Sequence, residues 1–370
     1  MGKTLHKLHL YLGLGAALVL MLVGVTGAIL SYEKELLRML HKDSFYVQIQ
    51  DKKLSTQTLV ERFLEQKKGA KINAFTLSTH PEESYIINIV SKESRKGENY
   101  FINPYTGEIL PAVTSHDFFK FVENIHRRLL LGEAGKQITG ASVLILIVLL
   151  ISGVYMYMPK IKRGFVKALK INPKAKGRSF LYTLHGTIGL WIVPIYLSIS
   201  LTGLYWSYHW YNDLLHTLTG VENHKHDSKK KQMGQKQEKK VAENQAQNIA
   251  EAFDVFHIYV EKCYSKVMLR APKSGGDTYT FFYLDKKPAH IYARNTVELK
   301  SKTQELIKHE LYDEKSMPQK FMASIFALHS GEYFGWVGQL IFFLAALSMP
   351  LFGITGLMLY LKKKKAKYAH

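Results

Sequence analysis

Cysteine is almost absent from this chain: Cys263 is the single one among 370 residues. An intramolecular disulfide and every cysteine-based metal cluster are thereby excluded. A lone thiol of this kind is expected to be buried as a small hydrophobe. Acidic residues are missing from three whole stretches, 1–32, 155–212 and 356–370. Long disordered polyelectrolyte sequence is also missing, because 47% of residues are hydrophobic and only 22% charged. A nucleotide fingerprint is lacking too: Gly13-x-Gly15 starts like one, but it lies inside an apolar run with no strand before it.

What is present is four long apolar runs, Leu8 to Tyr32, Gln137 to Met158, Ser179 to Asn212 and Tyr333 to Leu361, none containing Asp, Glu, Lys or Arg. Each reaches the ~20 residues that cross a ~30 Å hydrocarbon core as a helix. The lack of charge within them argues against an ion-coupled transporter. A cleaved signal peptide would fit the basic start of the first run, but its apolar stretch is too long, and the run is expected to be a retained span. The formal net charge of +20 resolves along the same lines. Fifteen basic residues lie in the three acid-free stretches, leaving the rest of the chain only weakly basic. This positive-inside pattern predicts cytoplasmic termini and a cytoplasmic 159–178 loop that touches anionic lipid or docks an acidic partner. It also removes the case for nucleic-acid binding. The expected order is span one within 1–34, an outer domain at 35–134, span two at 135–160, a basic cytoplasmic loop at 161–182 and span three at 183–210. A second outer domain follows at 211–332, with a flexible Lys/Gln-rich insert at 224–248, then span four at 333–361 and a basic tail at 362–370.

Sliding the chain against itself by 176 residues matches His9 with His185, Gly13 with Gly189, Thr26 with Thr202 and Gly27 with Gly203. A slide of 203 matches His126 with His329, Gly132 with Gly335, Gly135 with Gly338 and Gly153 with Gly356, and sets Ser152 opposite Thr355. The fold class predicted is a four-span α-helical membrane bundle from a tandem duplication, with two α+β outer domains. Both halves begin and end on one side, so the repeats are parallel and matched residues share a depth. His9 and His185 then meet near the cytoplasmic face, His126 and His329 near the outer face. Such histidines can anchor helices by hydrogen bonding. Two matched pairs also suit the axial positions of two b-type haems, with Gly13 and Gly189, one turn after their histidines, clearing room for a flat macrocycle. His209, in an aromatic cluster at the end of span three, is a further candidate ligand, a propionate contact or an interfacial residue. His224 and His226 suit metal binding or a solvated linker. Pro194 and Pro350 predict kinks in spans three and four.

In the first outer domain a helix is expected at 55–66 and strands at 72–77, 85–90 and 100–102. In the second, a helix is expected at 241–263 and strands at 267–270, 278–284 and 289–293. Amphipathic segments 118–131 and 320–329 carry the outer histidines.

His9-x3-Gly13 with Thr26-Gly27, His185-x3-Gly189 with Thr202-Gly203, and the Ile125-His126 and Leu328-His329 blocks with their Gly-x2-Gly followers resemble the PepSY-associated transmembrane-helix family over nearly the whole chain. The turn at Asn103 to Glu108 is similar to the end of a PepSY α/β module, whereas 292–300 lacks it, so the second outer domain is expected to be a degenerate copy. The resemblance implies a haem-containing bacterial inner-membrane reductase that passes electrons to ferric siderophores or other ferric chelates in the periplasm, with His9, His126, His185 and His329 as ligands of two haems b. The cytoplasmic segments are too short for a flavin or nicotinamide domain, so the donor is expected to be quinol or a separate reductase. The alternative is a non-catalytic PepSY membrane module that binds peptides or regulates an extracytoplasmic enzyme.

Overall fold

The computed structural model describes residues 2–91, 97–222, 245–261, 263–272 and 276–368. His224 and His226, and most of the 224–248 insert, lie outside the described residues. In chain order the elements are α1 (Gly2–Ser31), α2 (Glu33–Leu40), α3 (Lys42–Phe45), α4 (Thr56–Gln66), β1 (Ile72–Ser78), β2 (Tyr85–Ile89), β3 (Glu98–Ile102), α5 (His116–Arg128), α6 (Gly132–Arg163), α7 (Phe165–Ala168), α8 (Gly177–Ser207) and α9 (His209–Thr219). There follow α10 (Gln245–Tyr259), β4 (Tyr264–Arg270), β5 (Thr278–Asp285), β6 (Asn295–Lys300), β7 (Leu306–Glu310), α11 (Met317–Ser330), α12 (Gly335–Leu347) and α13 (Met349–Tyr368). They divide into a helical unit of residues 1–33, 116–220 and 325–370 and a sheet unit of residues 34–115 and 221–324.

The helical unit holds four segments long and apolar enough to cross a membrane: Lys3–Ser31, Gly132–Arg163, Gly177–Ser207 and Glu332–Lys364. Large apolar side chains such as Leu18, Ile151, Trp191 and Ile354 are exposed on them, a surface suited to lipid rather than water. Ala16, Leu20, Leu146, Ile192, Tyr196, Ala345 and Met349 fill the interior. At Gly24 a Cβ would stand 2.5 Å from the Cβ of Met349, so α1 and α13 approach through a missing side chain.

The kink expected at Pro350 coincides with a break in the fourth span, and the third span ends sooner than expected. The fourth is interrupted at Ser348, just before Pro350, and the carbonyl of Ala345 accepts from Tyr196 Oη at 2.8 Å and from Ser348 Oγ at 2.7 Å. Pro194, by contrast, sits within an uninterrupted α8. The third span ends at Ser207, because Tyr208 is extended and its ring lies over Gly140 of α6, where a Cβ would come within 2.8 Å.

The sheet unit is a single seven-stranded antiparallel sheet, ordered β3-β2-β1-β4-β5-β6-β7. Its central β1–β4 pairing, with Phe75 opposite Leu269 and Leu77 opposite Val267, joins the two segments that were expected to form separate outer domains. Helices α4 and α10 share one core with both halves, in which Phe63, Phe75, Phe253, Phe256 and Phe281 are fully buried. Alone, each half would leave a sheet edge and half a core open, and merging closes both.

The helix expected at 241–263 is Gln245–Tyr259, with 241–244 outside the described residues. The strand expected at 289–293 is instead a turn: Ala293 N donates to His290 O, and His290 is buried against Tyr312. Strand β7 escaped notice because it is the charged edge Leu306-Ile-Lys-His-Glu310. Cys263 is exposed, not buried.

Candidate functional site

Inside the helical unit the four matched histidines meet in two pairs. His9 of α1 and His185 of α8 have ring centroids 6.5 Å apart with planes at 72°. His126 of α5 and His329 of α11 stand 6.4 Å apart at 68°. His209 joins neither pair: it opens α9, with its side chain exposed.

Each ring is held through Nδ1. His9 Nδ1 lies 2.8 Å from Ser152 Oγ, and His185 Nδ1 lies 2.7 Å from Thr355 Oγ1. Those hydroxyls already donate to their own helices, Ser152 to Val148 O at 2.7 Å and Thr355 to Leu351 O at 2.6 Å. With its only proton so engaged, each hydroxyl accepts, and Nδ1 donates. The second pair reaches the same state more directly. His126 Nδ1 donates to Val23 O at 2.9 Å and His329 Nδ1 to Ile199 O at 3.1 Å, and a carbonyl can only accept. Thr26 Oγ1 and Thr202 Oγ1 stand beside them at 3.2 and 3.0 Å. In all four rings Nδ1 therefore carries a proton, so that in the neutral imidazole Nε2 is the nitrogen with the lone pair, the arrangement of a metal ligand oriented by a neighbouring acceptor.

A glycine lies against each ring. A Cβ on Gly153 would meet His9 Cε1 at 3.4 Å, on Gly356 His185 at 3.9 Å, on Gly27 His126 at 3.0 Å and on Gly203 His329 at 3.2 Å. Gly13 and Gly189 lie against neither ring, and a Cβ there would make only ordinary contacts, at 3.7 Å to Leu149 and 3.6 Å to Phe352. Close helix packing does not require them. They line a cavity of about 810 Å³ that also contains His9 and His185, within the range of cofactor pockets, roughly 300–1,000 Å³.

The turns that follow α5 and α11 explain another motif. Leu129, Leu130 and Gly132 take positive φ after α5, and Gly331 and Gly335 do so after α11. A Cβ on Gly135 would fall 1.7 Å from Arg128 O, and one on Gly338 2.5 Å from Gly331 O. The Gly-x2-Gly spacing thus lets the next span start directly against the end of each histidine-bearing helix.

Sequence reasoning assigned no role to Ser152, Thr355, Thr26, Thr202 or the four glycines under the rings. Their signal was present, because each occurs at matched positions in the two halves. Among the described residues no group of three or more His, Cys, Asp or Glu gathers to hold a metal ion. Each pair supplies two nitrogens only.

The chain matches the family described as PepSY-associated TM region over residues 6–363. It belongs to that family. No curated protein matches it. Membership together with the four long apolar helices makes this PepSY-associated TM protein a multi-pass membrane protein. All four paired histidines fall within the matched residues of the PepSY-associated TM region.

Proposed function

We propose that the chain is a transmembrane electron-transfer protein that holds two haems b, one between His9 and His185 and one between His126 and His329. The observation that carries this reading is the spacing of the pairs. Two axial bonds of ~2.0–2.1 Å, with about 1.1–1.2 Å from each nitrogen to its ring centre, put two iron-bound imidazoles about 6.4 Å apart. The observed 6.5 and 6.4 Å meet that requirement. Two nitrogens are too few for a bare zinc ion, which takes about four ligands, and they suffice for iron whose other four ligands come from a porphyrin. Held by these histidines, haem would supply one-electron carriage.

The protein's residues do the rest. The Nδ1 acceptors fix each imidazole's tautomer and rotation, Gly13 and Gly189 keep the cavity clear, and the apolar spans exclude water. The substrate is a ferric chelate, by the family resemblance a ferric siderophore, taking one electron per iron at the outer side. Quinol or a separate reductase is the donor. In this reading the protein lies in a bacterial inner membrane with both termini cytoplasmic and the sheet unit in the periplasm. The matched histidine sites arise from a tandem duplication, and the sheet is two PepSY-like α+β units fused edge to edge.

The test is the absorbance of the purified full-length protein. A Soret band with two haems per chain, lowered by about half in His9→Ala and in His329→Ala, is expected, as is reoxidation of the reduced protein by ferric siderophore. A protein without a Soret band would return the reading to a non-catalytic module. A haem protein that ferric chelates leave reduced would keep the haem assignment and lose the substrate.

A further inference from the structure

The cavity around His9 and His185 has one feature that neither helix packing nor ligation explains. His6, Arg178 and Lys363 line it along with the two histidines. Arg178 and Lys363 lie close enough for both charges to act on the His6 ring. The acid-free stretches 1–32, 155–212 and 356–370 include the α1, α8 and α13 segments that carry these three residues, so those segments hold no carboxylate to balance them. Topology alone requires cations beside the spans and is indifferent to where they point. Lys162, Lys167, Lys170 and Lys174 satisfy it without lining the cavity. Arg178 is also the second residue of α8, and Lys176 before it provides no side-chain cap, so the first-turn amides add positive potential at the same rim.

An apolar cavity with a cationic rim selects an amphiphile with an apolar body and an acidic end. Along α8, Arg178 stands seven residues before His185, two helical turns or about 10 Å of rise. The metal-binding nitrogens and the cations are therefore set apart along one cavity, as a ligand with a central metal and peripheral acids needs. On the haem reading above, we infer that Arg178 and Lys363, with His6 beside them, grip the two propionate carboxylates of the haem held by His9 and His185. The rim then fixes which edge of the macrocycle faces the basic end. It also neutralises two carboxylates that would otherwise face an apolar wall.

Haem-depleted full-length protein titrated with haem b and with its dimethyl ester, which lacks the carboxylates, tests the assignment. His9→Ala reports the second site alone, so the His9-dependent band isolates the first. Wild type should bind the free acid more tightly than the diester at that site by about tenfold, the scale of one charge-assisted hydrogen bond. The Arg178→Gln/Lys363→Gln double variant should lose that preference to within about twofold while keeping a six-coordinate Soret band. Restoring Arg178 as lysine (Arg178→Lys with Lys363 intact) should retain the preference. Equal affinity of wild type for both porphyrins, or a preference that survives in the double variant, overturns the rim assignment and leaves the haem reading standing. Absence of any His9-dependent band with either porphyrin overturns both.

Discussion

Ser152 Oγ accepts the Nδ1–H of His9 at 2.8 Å while giving its own proton to Val148 O at 2.7 Å. This relay makes the buried Ser152 hydroxyl an acceptor toward the ring, and Thr355 does the same for His185. The ring is thereby set without any charged residue, which a membrane-embedded site favours because buried charge is costly there.

If His9 and His185 hold haem as proposed, Ser152→Ala and Thr355→Ala should each weaken its retention by roughly 10- to 100-fold, as losing the hydrogen-bond partner of a metal-binding histidine does. Ser152→Thr keeps the acceptor and should retain haem. The check is haem per chain after dialysis against apomyoglobin. Full retention by both alanine variants would show that the hydroxyls do not orient the ligands.

Gly27→Ala and Gly203→Ala place a methyl about 3 Å from the rings of His126 and His329. Each ring must tilt, so on the proposed haem reading the haem between His126 and His329 should shift toward five-coordinate high-spin iron, visible by electron paramagnetic resonance. Gly15→Ala meets nothing within 4 Å and should leave the spectrum unchanged.

Phe281 is fully buried where β5 meets Phe253 and Phe256 of α10. Phe281→Ala should cost the sheet unit roughly 3–5 kcal/mol. Because β1–β4 pairing makes one core, protease sites at 34–115 and at 245–324 should open together in the same urea range. Separate transitions would contradict a single cooperative unit.

Burial acts to raise the Glu83 carboxyl, but the Ser78 hydroxyl and the charges of Arg38, Lys266 and His80 outweigh it and hold it below the ordinary carboxylate range. Arg38 pairs with it at 3.0 Å. A carboxyl depressed in the folded state stabilises above its unfolded value, roughly pH 4–4.5, and that contribution fades as pH falls through the folded value. Urea midpoints of the wild type should therefore drop on acidification below about pH 4.5 more steeply than those of Glu83→Gln. Parallel acid limbs would remove Glu83 from the balance.

Much of the architecture was legible before the structure because it depends on local properties. Apolar length and missing charge define spans wherever the chain goes, and a repeated His-x3-Gly at matched positions marks equivalent places in two halves. Turn and strand signals in 35–134 were equally local, and Ser55 does cap α4 by accepting from Thr58 N. The strand expected at 289–293 failed because buried His290 draws its neighbourhood into a turn, a long-range demand with no local signature.

By itself, then, the sequence determined four membrane-length helices, the side of the chain that is basic and the four histidines worth watching. Tertiary structure alone decided which atom holds each ring, which glycine lies beneath it, that His209 stands outside both pairs, and that residues 34–115 and 245–324 share one sheet. The division has a physical basis. Hydropathy and charge act on each segment independently, whereas a hydrogen bond from His9 to Ser152 or a strand pair between Phe75 and Leu269 exists only once segments distant in the chain have packed.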